Sequence, residues 1–314
     1  MDVFLTLPPY SLYLREVSRY PMVKAFRFNT GAQLKEDLET ALTRFRENIE
    51  PKELWIDLKC RELRIIKTTE LTKNNNILEL NHKIRVQTPT LLYYNEGNNF
   101  LKIDKVIDGN KLQIHIPENF PDNFRVTFGK GAPLNIPHNS LVVEDYLTVQ
   151  DKKFVEAARK LGIHNYLLSF VEQKEDIFEL LKLDPEAKII AKIESMKGLE
   201  FVEYNYEEVK EHVRLMGARG DVYVELEMPH QILNALAKII KADKNAIAAS
   251  RILESALNLE KPPNCTDISD LGLLLKMGYR SFLLGDQVCE NENALKSALG
   301  LMNTIFQEFL RNQF

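Results

Sequence analysis

The sequence predicts an α/β protein, a (β/α)8 TIM barrel with a small all-β domain inserted after the third strand. Three observations lead there. Short apolar runs alternate with amphipathic helical stretches through eight strand–helix units. The alternation lapses once, from about Ile66 to Val143, into short runs broken by NNN, NEGNN and DGN turn signals and several prolines. Charged and polar residues gather at the ends of five strands, on one rim.

VFLTL (3–7) is strand one, and a helical YSLYLREVSRY follows. VKAFRF (23–28) is strand two; Leu34, Leu38, Leu42 and Phe45 keep helical spacing after it. ELWIDL (53–58) is strand three. Beyond the lapse, helix VQDKKFVEAARKLG leads to NYLLSFV (165–171), and EDIFELLKL to AKIIAKI (187–193). Helix EEVKEHV leads to RLMGARG (214–220), and HQILNALAKII to NAIAAS (245–250). A long helical stretch precedes RSFLLGD (280–286). A last helix from about Asn293 carries Leu295, Leu299, Met302, Phe306 and Leu310 on one face. The barrel would take residues 1–65 and 144–314, and the insertion 66–143. An open doubly wound sheet is the alternative for the same elements.

Composition narrows the function. A formal charge of -4 over 314 residues offers no basic field for nucleic acid. No apolar run is long enough to span a membrane, and MDVFLTLPPYS lacks a signal peptide's cationic and apolar regions. Cys60, Cys265 and Cys289 lie far apart, which fits a reducing, cytoplasmic setting rather than a disulfide framework or metal knuckle.

A barrel's chemistry sits at the C-terminal ends of its strands. Strand two ends in Arg27 and Asn29; strand three in Asp57 and Lys59, with Glu62 and Arg64 beyond. Strand five ends in Lys192 and Glu194, strand six in Arg219, Gly220 and Asp221, strand seven in Ser250 and Arg251. Each alone reads most simply as a solvated strand end, and Asp57 or Asp221 as a helix cap. Together they read as a site. Glu194 and Asp221 suit Mg2+ (or Mn2+), which binds through one or two carboxylates plus substrate oxygens and water. Lys192, two residues before Glu194, points to the same side and can neutralise charge on a phosphoryl group or an enolate oxygen. Arg27 and Arg64 can fix carboxylate or phosphate oxygens. If a helix starts at the Arg219-Gly220-Asp221 turn, its free amides can hold a carboxylate.

In order and spacing these segments resemble the pyruvate kinase family. AKIESMKG (191–198), MGARGDVYVE (216–225), FRFNTG (26–31) and IDLKCRELR (56–64) are similar to its site segments. YLLSFVEQKEDI (166–177), ASRILES (249–255), VIDGNKLQIHI (106–116) and GKGAPLNIP (129–137) match in the right order. The resemblance implies that Glu194 and Asp221 bind the divalent metal and that Lys192 stabilises the phosphoryl group in flight. It implies that Arg27 contacts phosphate, and that the amides of Gly220 and Asp221 hold the substrate carboxylate. Ser250 stands at a threonine linked to protonation of the enolate. Asn29 and Asp57 would help bind K+, and Arg27 and Lys130 would face a nucleotide. Small-molecule substrates, a glycolytic role and a homo-oligomer go with the family.

The departures are specific. Gly31 and Leu58 stand at a serine and a threonine that hold the monovalent cation, so weak or no potassium activation is expected. Ala32 stands at a histidine near the nucleotide, Arg61 at a proline, Tyr223 at a glycine and Arg251 at a glutamine. LGDQVC (284–289) stands for leucine-serine-glycine-glutamate-threonine-alanine, and PNCTD (263–267) for proline-threonine-arginine-alanine-glutamate. The chain resembles a short form without the C-terminal effector domain. Three functions follow. One is phosphoryl transfer between phosphoenolpyruvate and a nucleoside diphosphate. Another is a lyase, an aldolase or another phosphotransferase using the same metal–enolate site. The last is a non-catalytic binding or regulatory protein.

Overall fold

The computed structural model describes residues 1–32, 34–117 and 125–312. Eight parallel strands close into a barrel: β1 (Asp2–Thr6), β2 (Val23–Asn29), β3 (Glu53–Leu58), β4 (Asn165–Leu168), β5 (Lys188–Ile193), β6 (Val213–Ala218), β7 (Ile247–Ala249) and β8 (Ser281–Leu283). Each pairs with its sequence neighbours, and β1 pairs with β8 to complete the ring. The closed ring settles the choice against an open sheet.

The interior is filled by Phe4, Ala25, Trp55, Leu167, Ile190, Met216, Ile247, Ala249 and Leu283, drawn from all eight strands. Side chains alternate across a strand, so the residues two places beyond this plug point into the barrel mouth. Beyond Ala25 comes Arg27, beyond Trp55 comes Asp57, and beyond Ile190 come Lys192 and then Glu194. The packing of the plug thereby sets the register of the rim. Outward-facing strand residues such as Phe26, Ile56, Tyr166 and Leu215 pack with helix residues such as Phe45, Phe154, Ile177 and Ile239 in the main core.

The helices start where the chain offers a cap. Asp37 accepts the Thr40 amide at the head of Leu38–Ile49, which leaves Leu34 before the helix. Thr148 and Asp151 form a capping box on Val149–Lys160. Three expectations need correction. EEVKEHV holds only a 3₁₀ turn, Tyr206–Glu208; the helix between β5 and β6 is Met196–Tyr204, capped by Ser195. Strand six stops at Ala218, and Arg219, Gly220 and Asp221 open the short helix Arg219–Glu225. The helix within YSLYLREVSRY spans only Leu14–Val17.

Between β3 and β4 the chain makes antiparallel pairs around a second core, which includes Leu63, Ile65, Leu78, Leu92, Ile103, Leu112 and Leu134. Leu63–Arg64 pairs with Pro133–Leu134, closing this unit at its base. His82 stands there with Nε2 2.7 Å from the Cys60 carbonyl and Nδ1 3.1 Å from that of Glu144, one on each crossing to the barrel. Among the described residues, no helix is long and apolar enough to cross a membrane.

The turn after β3 is shaped by Asp151. Its buried carboxylate accepts the amides of Lys59 (2.9 Å), Cys60 (3.1 Å) and Thr148 (2.9 Å). This holds Cys60 at a φ of 45°. Asp151→Ala should therefore cost about 2–4 kcal/mol, the scale of several hydrogen bonds to one charged, buried acceptor. Urea denaturation measures it; a loss below about 0.5 kcal/mol would show that water replaces the carboxylate.

Candidate active site

The mouth of the barrel, roofed by the inserted strands, holds a cavity of about 400 Å³. Arg27, Asn29, Asp57, Arg64, Lys192, Glu194, Gly220, Asp221 and Ser250 all line it. Lys130 does not; its side chain is exposed in a turn of the insertion.

Asp57 is the centre. It is fully buried, and three cations surround it: Lys59 Nζ at 2.7 Å and Arg27 Nε at 3.5 Å from Oδ2, and Lys192 Nζ at 2.9 Å from Oδ1. Burial by itself would raise the pKa of this carboxyl; the charges of Lys192, Lys59 and Arg27 outweigh it and hold the group far below the usual carboxylate range. Burial pulls Lys192 down, but Asp57 and Glu194 together raise it above its ordinary value, so it stays an ammonium. Its Nζ is also 3.3 Å from Glu194 Oε1.

Glu194 and Asp221 behave in the opposite way. Burial pushes Glu194 up to about 7; Asp221 and Glu62 push the same way, against Lys192 and the Phe170 amide, which donates to Oε2 at 2.7 Å. Asp221 is also raised, by burial and then by Glu62. Burial likewise pushes nearby Glu225 up to about 8. Asn135 of the insertion donates to Asp221 Oδ1 (3.3 Å) and Glu225 Oε1 (3.2 Å). Buried carboxylates that ionise reluctantly beside one another are hard oxygen donors short of positive charge, and they fit a divalent cation. Among the described residues, no three His, Cys, Asp or Glu side chains are grouped to cage an ion. An ion held here would take its remaining oxygens from substrate and water.

Other departures have physical reasons. A Cβ on Gly31 would lie 2.6 Å from Arg64 Nη1, so the arginine fills the space a serine would need. Arg64 is itself engaged, donating to the Gly131 carbonyl (2.8 Å) and to Glu62 Oε1 (2.9 Å). Arg61 makes paired bonds of 2.8 and 2.7 Å to Asp176 and lies over the Tyr146 ring, tying the β3 turn to the helix Lys174–Leu183. Arg251 stacks on Tyr223 with 4.9 Å to the ring centroid and donates to the Glu96 carbonyl of the insertion at 2.9 Å. Arg219 donates to the carbonyls of Ser250 and Arg251, and its Nη1 reaches both carboxylate oxygens of Asp270. It clamps a loop in which Ser250, Arg251 and Leu253 have φ of 69°, 54° and 54°.

Lys59, placed by its sequence at the end of strand three but without a role, stands on the Asp57 carboxylate, as alternation from Asp57 allows. Three further rim residues lie outside the expected set. Asp286 lies just past β8; its Oδ2 is 3.2 Å from Arg27 Nη2 and 3.3 Å from Asn29 Nδ2. Asn135 and Glu96 come from the insertion, and no local signal aims them at the barrel.

In this (β/α)8 barrel the roofed mouth brings a buried ammonium and two guanidinium groups beside a reluctant acid pair, chemistry able to meet negative oxygens on one side and a cation on the other. Residues 26–280 match the family description "Pyruvate kinase, barrel domain", and the chain belongs to the pyruvate kinase family. It is 26% identical over 309 residues to the pyruvate kinase of Borreliella burgdorferi, covering 90% of this chain and 62% of that one. Against the pyruvate kinase of Thermotoga maritima it is 26% identical over 267 residues, with 81% and 54% covered. Against that of Methanocaldococcus jannaschii it is 26% identical over 301 residues, with 91% and 64% covered. The chain thus spans less than two thirds of the length of each of these relatives.

Two measurements follow from the geometry. With Lys59 and Lys192 already on Asp57, potassium chloride should raise the melting temperature no more than tetramethylammonium chloride at equal ionic strength; a specific, saturable potassium shift would show an open cation site. Ser250→Thr, which restores the family's residue, should destabilise by about 1–3 kcal/mol, because a β-branched side chain is strained at positive φ. Unchanged stability in denaturant would mean that the Arg219 clamp yields.

Proposed function

We propose that this chain moves the phosphoryl group between phosphoenolpyruvate and a nucleoside diphosphate, with Mg2+ or Mn2+ held by Glu194 and Asp221. The observation that carries the reading is Lys192. Its ammonium is buried, kept charged by Asp57 and aimed along Glu194, where a transferring phosphoryl group would carry negative charge. A divalent ion at the acid pair supplies charge neutralisation for phosphate and enolate oxygens. Arg27 orients the phosphate, Ser250 stands beside Gly220 at the enolate end, and the amides of Gly220 and Asp221 take the substrate carboxylate. A second cavity of about 200 Å³ shares Asn29 and Asp286 with the first and is walled by Pro8, Pro9, Tyr10, Phe28 and Leu34, an apolar place for a nucleotide base. In this reading residues 66–143 act as a lid that excludes water, supported by their separate apolar core. The free cysteines suit a cytoplasmic enzyme.

A second reading, enolate chemistry without phosphoryl transfer, is favoured by the Arg251–Tyr223 stack, which fixes Arg251 in the cavity wall next to Ser250. One set of assays separates the two. Glu194→Gln and Asp221→Asn should each abolish magnesium binding by calorimetry and leave the protein folded. Lys192→Met should keep magnesium and pyruvate binding but lose phosphoryl transfer by on the order of 10²–10³-fold. Wild-type protein should release pyruvate from phosphoenolpyruvate with a nucleoside diphosphate, and exchange the methyl protons of pyruvate in deuterium oxide. Exchange without transfer selects the second reading, and neither one in folded protein refutes both.

A further inference from the structure

We propose that Asp286 is a specificity-determining residue, a resident carboxylate that competes with substrate phosphate for Arg27 and Asn29. The inference rests on the phosphotransferase reading and concerns its acceptor side. Asp286 lines both cavities, so a nucleotide with its base in the smaller one and its terminal phosphate near Glu194 must pass it. Its Oδ2 lies within 3.3 Å of the Arg27 guanidinium and the Asn29 amide together. Those are the two donors a phosphate would use at that point. The Gly31 amide donates to Asn29 Oδ1 at 3.1 Å, which fixes the amide plane with Nδ2 turned to Asp286. Arg27 is bound on its far side as well, by Asp57 at 3.5 Å, so one guanidinium already answers two carboxylates. An arriving phosphate therefore meets a cation already engaged by two carboxylates, with a like charge beside it.

The placement also lets Asp286 yield. Asp57 is inaccessible, whereas the Asp286 side chain is 40% exposed and begins the short helix Asp286–Glu290. Rotation of one side chain into water frees both donors without moving the barrel. Asp286 thus weakens the binding of every phosphate that crosses between the cavities and leaves ligands without phosphate untouched.

The experiment is calorimetric titration of inorganic phosphate, ADP and pyruvate, each with magnesium, into wild type, Asp286→Asn, Asp286→Gly and Asp286→Glu, with melting curves to confirm folding. Phosphate and ADP should bind on the order of tenfold more tightly to the Asn and Gly variants, as expected when a like charge a few ångströms away is removed from a partly exposed site. The gain should shrink in high salt. The Glu variant should stay near wild type, and pyruvate should bind all four proteins alike. Unchanged or weaker phosphate binding in both neutral variants overturns the proposal. Failure of pyruvate to bind any of the four overturns the phosphotransferase reading instead, and the phosphate titrations then decide Asp286 on their own.

Discussion

A single buried carboxylate organises the mouth of this barrel. Asp57 has no access to water, so its charge must be met by protein groups. Lys59, Lys192 and Arg27 meet it, from the turn after β3, from β5 and from β2. Each is thereby fixed in direction. Lys192 turns its ammonium along Glu194, and Arg27 presents its outer nitrogen toward Asp286. Taking away one member of such a cluster leaves an uncompensated charge in the interior, which typically costs 3–5 kcal/mol. The cluster is better understood as orientation of the rim than as a net source of stability.

The rim divides by charge. Around Asp57 the cations are in excess and the carboxylate is easily ionised. Around Glu194, Asp221 and Glu225 the carboxylates are in excess and ionise late. Lys192 lies on the boundary and touches both. A substrate carrying negative oxygens, and a cation that those oxygens can share, complete such a surface from opposite sides.

Much of this was legible in the sequence. Apolar runs of the right length gave the eight strands, and alternation along VKAFRF, ELWIDL and AKIIAKI placed Arg27, Asp57 and Lys192 on the inner side. The helix Met196–Tyr204 is hidden because its apolar residues sit beside a strand of the same character, while the helical spacing of Val209 and Val213 in EEVKEHV is misleading, since Val213 already belongs to β6. The capping role of Asp151 was hidden for another reason. Its partners Lys59 and Cys60 are far away in sequence, and only the closed barrel brings them together. Asn135 and Glu96 show the same limit, since an insertion's contacts depend on how it is set over the rim. Arg61 departs from the family pattern, and its paired bonds to Asp176 carry no local signal.

The base of the insertion has a consequence for how the chain folds. β3 and β4 are direct neighbours in the barrel, with Ile56 opposite Tyr166, although the whole insertion separates them in sequence. Closing so long a loop from a disordered chain is slow and entropically costly. The pairing of Leu63–Arg64 with Pro133–Leu134 shortens that search, and His82 gathers Cys60 and Glu144 at the same place. Once the inserted strands have formed, the ends of β3 and β4 are already close, and a long-range contact has become a local one. In the finished fold the insertion is thus a splint across the β3–β4 seam of the ring.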